Sequence, residues 1–311
     1  MRTFEHSSSD PASSDAGHVS VLLHESIDSL AIQPGDTVVD ATLGGAGHAR
    51  LIASRLGQEG TLVGFDLDEA AIERTRAALA EASCRVELIR ANFRDMQKEL
   101  AQSSVTRIDK VLFDLGWSGF QLAAGRGFSF LVDEPLLMTY ARDITPDTLT
   151  ARKAVNEWAE ESLADVIYGF GEERNARRIA RAICEARKRK PIETSLQLAE
   201  IVRAAVPAAY ARGRIHPATK TFQALRIAVN DELGALEQGL DAAWELLTPG
   251  GRVVVISFHS IEDRLVKRVF AAWEKEGKGK RTPKKPIPPS RDEVKSNPRS
   301  RSAKLRVFEK M

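Results

Sequence analysis

The chain has 311 residues, 43% hydrophobic and 28% charged, the balance of a water-soluble globular protein large enough for one big or two modest cores. Its apolar runs fall far short of the ~20 residues that cross a bilayer, and the two distant cysteines, Cys84 and Cys184, form neither a disulfide framework nor a zinc spacing, which suits a cytoplasmic protein. The net charge of +2 hides a basic tail: from Arg264 onward there are 16 Lys and Arg against 5 Asp and Glu, so a +11 tail sits on a −9 body and points to a polyanionic partner.

Residues 1–17 are rich in Ser, Asp and Ala, lack a signal-peptide centre, and read as a disordered lead-in. His18 to Leu30 has helical apolar spacing and leads into the turn Gln33-Pro34-Gly35-Asp36. The run Thr37-Val38-Val39 then ends on Asp40, followed by Gly44-Gly45-Ala46-Gly47, a helical segment, and a second apolar run, Thr61 to Phe65, that ends on Asp66. Strand, glycine turn, helix, strand and acid form the opening βαβ unit of a nucleotide-binding α/β domain. A helix over 68–82, a strand at Arg85 to Ile89 followed by Asn92-Phe93, a helix over 94–104 and a strand at Ile108 to Phe113 ending at Asp114 continue the rhythm. Strands alternating with helices predict a parallel sheet covered on both faces.

The rhythm stops after Asp114. Helical stretches near 147–158, 161–169, 172–188, 194–206 and 217–238 follow without a strand. It resumes at Leu246 to Gly251, a turn feeding a strand from Arg252 to Ile256. The expected division is therefore 18–117 with 232–311 as one discontinuous α/β domain, and 118–231 as an inserted all-helical domain for substrate recognition. Ser260 to Asp263 reads as a capping box opening a helix to about Trp273, residues 275–300 as a mobile Lys-, Pro- and Ser-rich loop, and Ala303 to Glu309 as a terminal strand.

An acid directly before the glycine turn repels a pyrophosphate but suits a cation. S-adenosylmethionine carries a sulfonium and an ammonium, so Asp40 favours it over a dinucleotide, with Asp66 holding the ribose and Asn92-Phe93 flanking the adenine. On these residues a methyltransferase is the first reading and a nucleotide-dependent oxidoreductase the second. Thr219, Gln223, Arg226 and Asn230 fall at helical steps and form a polar stripe beside Phe222, Leu225 and Val229, suited to holding a base or phosphate across a cleft. Arg174, Arg177, Arg178 and Arg181, the Lys-rich 275–285 stretch, Arg299 and Arg301 offer phosphate contacts. His259 either contacts substrate or braces its loop. No metal is required.

The stretches HVSVLLHE, DATLGGAGH, DLGWSGFQL, RGFSF, GEERNARRIARAI, HPATKTFQALRIAVNDEL, GGRVVVISFHSIEDRLVKR and NPRSRSAKLR resemble the RsmH/MraW family over almost the whole chain from His18 onward. That family methylates the exocyclic N4 of a cytidine in the decoding region of bacterial 16S rRNA, within the small ribosomal subunit. The resemblance implies a class I S-adenosylmethionine-dependent methyltransferase fold, Rossmann-like, with an inserted helical domain. It places cofactor contacts on Ala46, Gly47, His48, Asp66, Phe93, Asp114 and Gln121. Asp114 and Ser118 are the candidate acceptors for the target amine, and Arg177 and Arg178 candidate RNA contacts. Ala41 and Ala46 stand where the family commonly has Gly, and a methyl at Ala46 requires a negative φ there. Trp117, Phe120, Leu137 and Phe170 also depart from the usual pattern. The competing readings are a cofactor-binding assembly factor without catalysis and a methyltransferase of another substrate; a homodimer stays open.

Overall fold

The computed structural model describes residues 19–103, 105–116, 125–141 and 143–311. The expected lead-in, Trp117, Ser118, Phe120 and Gln121 lie outside the described residues. In chain order the first half contains α1 (Leu23–Leu30), β1 (Thr37–Asp40), α2 (Gly47–Arg55), β2 (Thr61–Asp66), α3 (Glu69–Ala78), β3 (Arg85–Arg90), α4 (Met96–Gln102) and β4 (Ile108–Asp114). Helices α5 (Ala151–Glu157), α6 (Glu160–Gly171), α7 (Ala176–Arg187), α8 (Ser195–Ala205), α9 (Ala208–Ala211) and α10 (Thr219–Asn230) follow. The chain closes with α11 (Glu232–Leu246), β5 (Leu247–Ser257), α12 (Ser260–Lys275), β6 (Gly279–Arg281), α13 (Arg291–Ser296) and β7 (Lys304–Lys310).

The seven strands form one sheet in the order β3-β2-β1-β4-β5-β7-β6. The first five run parallel, while β7 is antiparallel to both β5 and β6. This is the class I methyltransferase sheet. Strand order reverses between β1 and β4, and the crevice outside the carboxyl ends of strands at such a point is where open α/β sheets bind ligands. Asp40 and Asp114 end those two strands, and Asp66 ends the neighbouring β2.

Alternation along the strands builds a core on each face. Val39, Val63, Phe65, Val111, Phe113, Val253 and Val255 pack on one side against α4, α11 and α12. Val38, Leu62, Leu112, Val254 and Ile256 pack on the other against residues of α1, α2 and α3. A third cluster draws only on residues between Phe128 and Leu225, including Val155, Leu163, Ile167, Ile179, Ile183, Leu198 and Val202. Its helices show the expected periodicity, and α8 opens with a reciprocal cap between Thr194 and Gln197. Helix α6 meets α10 so closely at Gly171 that a Cβ there would sit 2.5 Å from the Lys220 carbonyl.

Three local expectations change. The helix expected over 217–238 is two helices, broken at Asp231, whose φ is +48°. The cap of α12 lies one residue earlier than expected: His259 and Glu262 form the box, in place of Ser260 and Asp263. Residues 275–300, expected to be a mobile loop, contain β6, α13 and a 3₁₀ turn at Pro298–Ser302. Composition misleads here because tertiary partners order the segment. Arg281 pairs with Glu274, Lys280 with Glu309, and Ile287 bridges Leu305.

Candidate active site

The carboxyl edge of the sheet opens into a cleft of about 1090 Å³ counted to its open mouth. Its floor comes from the loops after β1, β2 and β4. Asp66 is fixed by two backbone donors, Gly44 N–H at 2.9 Å on Oδ2 and Asp68 N–H at 2.9 Å on Oδ1. Burial pushes its carboxyl above the ordinary range. The main-chain N–H of Asp114 donates to Thr42 Oγ1 at 2.8 Å, and its Oδ1 accepts from Gly116 N–H at 3.2 Å. Its Oδ2 lies 3.6 Å from His48 Nδ1, on the first turn of α2.

Asp40 is fully buried and does not line the cleft. Its Oδ1 accepts from Thr42 N–H at 3.1 Å, while Oδ2 has no hydrogen-bond partner among the described residues. Burial raises its pKa well above the usual value, helped by the charges of Asp114 and Asp66. The expectation that Asp40 meets the cation directly therefore gives way to a second line behind Asp66 and Asp114.

The roof comes from elsewhere in the chain. Tyr140, Asn230, Glu232 and Glu262 complete the lining with Phe93, which sits edge-on to Phe113 at 5.4 Å. Asn230 ties the roof together: its Nδ2 donates to Met138 O at 2.8 Å, and its Oδ1 accepts from Tyr140 N–H at 2.8 Å. Tyr140 O–H donates to Glu232 at 3.1 Å, and burial, then Glu232, raise its pKa well above normal. Arg226 lies 2.7 Å from Glu232 through both Nε and Nη2. Glu232, His259 and Glu262 bring one potential metal-ligand atom each within 4.8 Å of one another. Arg226 already occupies Glu232, however, and Glu262 receives Phe258 N–H at 2.8 Å, so both carboxylates already have protein partners.

A model of the MraW methylase family matches residues 15–311. The chain belongs to this family. It is 47% identical over 310 residues to a "Ribosomal RNA small subunit methyltransferase H" of Symbiobacterium thermophilum, covering 94% of this chain and 96% of that one. It is 46% identical to the protein of that name from a Paenibacillus species (94% and 99% covered), and 49% identical to the one from Deinococcus radiodurans (94% and 89% covered).

As a class I methylase the chain takes its methyl group from S-adenosylmethionine, and the donor set of the cleft fits that cofactor. The described lining residues include four carboxylates and no Lys or Arg; with Glu232 balanced by Arg226 behind it, Asp66, Asp114 and Glu262 still give a wall that complements a sulfonium and an ammonium and opposes a phosphate.

The expected cofactor contacts divide. His48, Asp66, Phe93 and Asp114 line the cleft; Gly44 and Gly45 line it where Ala46 and Gly47 were expected. Ala46 is buried with φ +65°, against the expected negative value. Gly47 allows a close approach of protein rather than ligand, since a Cβ there would fall 2.0 Å from Ser20 Oγ. Ser118 and Gln121 lie outside the described residues.

The expected RNA stripe on α10 is mostly a packing stripe. Arg226 is 4% exposed and Gln223 donates to Phe170 O at 2.9 Å, so neither faces an open cleft; Thr219 is half-buried, and Asn230 alone of the four lines the cavity. The four residues do share one face of α10, but α6 and Glu232 decide what that face meets. His259 braces, its Nδ1 accepting Glu262 N–H at 3.3 Å. Arg177 and Arg178 are exposed on α7 and join no ion pair among the described residues. The sequence reading does not place Ser20, Tyr140, Glu232 or Glu262 at the cleft, which all four line.

Proposed function

We propose that this methylase transfers the methyl group of S-adenosylmethionine to the exocyclic N4 of a cytidine in the decoding region of 16S rRNA, in the small ribosomal subunit. The observation that carries the reading is the placement of Asp114 at the sheet's switch point, its two oxygens oriented by Gly116 N–H and His48 on the wall of an acidic cleft. The relatives' names, which specify small-subunit rRNA, supply the substrate class.

Cytosine N4 is a weak nucleophile because its lone pair is delocalised into the ring. The protein must therefore align the amine and accept its hydrogen bonds as positive charge develops. In this reading Asp114 is the acceptor, and Ser118 is the second candidate for that role. Asp66 holds the ribose hydroxyls, Phe93 flanks the adenine, and His48 and Gln121 complete the cofactor contacts. Bound S-adenosylmethionine supplies an electrophilic methyl on a positively charged sulfur. Residues 118–231 form the recognition domain against a methyltransferase domain of 18–117 and 232–311, and Arg177 and Arg178 grip phosphate while an unstacked cytidine enters the cleft.

The test is incubation with methyl-labelled cofactor and 30S subunits from a strain lacking this modification. Label recovered in 16S rRNA as N4-methylated cytidine is expected. Unlabelled rRNA would overturn the reading.

A further inference from the structure

The segment Val19 to Leu22 crosses the glycine turn and brings Ser20 into the cleft lining. A Cβ at position 47 would fall 2.0 Å from the Ser20 hydroxyl and 3.1 Å from its Cβ, so a larger residue there would have to turn that hydroxyl away. The Ser20 hydroxyl makes no hydrogen bond among the described residues. Leu22, fully buried, holds a left-handed φ of +52° that a branched side chain rarely adopts.

What holds this strained segment comes from the far end of the chain. Leu22 N–H donates to Glu293 Oε1 at 2.7 Å, across 271 residues of sequence. Asn297 Nδ2 donates to Val19 O at 3.1 Å, and Asn297 is 8% exposed. Both residues belong to the α13 region, which is tied to the sheet by paired backbone bonds of 2.9 Å between Ile287 and Leu305. The chain of contacts therefore runs from β7 through α13 to the segment, and ends at a hydroxyl facing the cleft.

We infer that Ser20 is an additional contact for the methyl donor and that Glu293 and Asn297 are positioning residues that hold it there. This rests on reading the cleft as the S-adenosylmethionine site. A hydroxyl can donate to the cofactor's carboxylate or accept from its ammonium, and an acidic wall leaves the carboxylate in need of a neutral donor. Glu293 on a six-residue helix and Asn297 just past its end thereby tune cofactor affinity without touching the cofactor.

The experiment is calorimetric titration of the full chain with S-adenosylhomocysteine, alongside thermal unfolding of each variant. Ser20→Ala, Glu293→Ala and Asn297→Ala are each expected to raise the Kd by about fivefold, the size of one lost hydrogen bond. Glu293→Gln keeps an acceptor for Leu22 N–H and is expected to restore wild-type binding, while the exposed neighbour change Asp292→Asn leaves it unaltered. The double variant Ser20→Ala/Glu293→Ala should bind no more weakly than the weaker single. Wild-type Kd in Glu293→Ala or Asn297→Ala with an unchanged unfolding temperature would overturn the brace, and so would additive effects in the double variant. A wild-type chain that fails to bind overturns the reading of the cleft itself, and the inference with it.

Discussion

His48 Nδ1 and Asp114 Oδ2 stand 3.6 Å apart at the mouth of the sheet's switch point, their side chains 5% and 17% exposed. The imidazole and Gly116 N–H approach the carboxylate from two sides. Replacing Asp114 with Ala should lower the methylation rate on the order of 10²- to 10³-fold, as loss of a preorganised charge-stabilising group does. Initial rates on 30S subunits, with circular dichroism as the control for folding, make the comparison; a rate within a few-fold of wild type would remove Asp114 from the chemistry.

Arg226 and Glu232 form the buried counterpart. Arg226→Met leaves Glu232 and the Tyr140 hydroxyl without their cation, at a cost of ~3–5 kcal/mol for a broken buried pair. Urea unfolding should show this loss. RNA binding by the folded fraction should keep its wild-type salt dependence, since the guanidinium faces the protein interior; a reduced salt slope would reinstate Arg226 as a phosphate contact.

Ala46 occupies a left-handed conformation that costs an L-residue roughly 1–2 kcal/mol. Glycine relieves that strain but gives the unfolded chain more freedom, an offset of ~0.4–1 kcal/mol. Ala46→Gly should therefore stabilise the protein modestly, by roughly 0.5–1 kcal/mol. A lower unfolding midpoint in the glycine variant would show that the methyl group's packing outweighs its backbone strain.

Asp40 gives a pH dependence of definite sign. Its folded pKa is raised, so above the unfolded value of 3.8 the folded state retains a proton that the unfolded state has released. This contribution is fully present below that value and is lost as pH rises through the folded pKa. Asp40→Asn cannot ionise, so its stability relative to wild type should grow from about pH 4 upward and level off once Asp40 ionises in the folded state. Unfolding temperatures of both proteins across pH would test this, and a difference that shrinks with rising pH would refute it.

Arg177 and Arg178 sit on the exposed face of α7. If each meets a phosphate, Arg177→Ala/Arg178→Ala should lower the slope of log affinity against log salt by about 1.4–1.8, at ~0.7–0.9 per contact. An unchanged slope would move the RNA path elsewhere.

The floor of the cleft was legible in the sequence because its acids close apolar runs, so Asp66 and Asp114 announce strand ends at one edge of a sheet. The roof was not. Tyr140 sits in irregular chain, Glu232 opens a helix after an unsignalled break at Asp231, and Glu262 looks like an ordinary cap residue. Nothing local says that three such distant residues meet. Arg226 illustrates a different limit: helical spacing identifies a stripe, but its neighbours decide whether the stripe faces solvent or a buried carboxylate. Ala46 shows a third, because a residue name does not reveal the sign of φ. The 275–300 segment failed on composition, since ion pairs with Glu274 and Glu309 order a stretch that looks unstructured in isolation.

The contact between Leu22 and Glu293 also sets a schedule. At ~5–20 residues per second, the 271 residues separating them take roughly 15–50 s to synthesise. For that interval a nascent chain can pair β1 with β2 and close its glycine turn, yet it lacks the residue that fixes Leu22 and brings Ser20 to the cleft. Under the proposed brace, full affinity for the methyl donor waits until Glu293 and Asn297 have been synthesised.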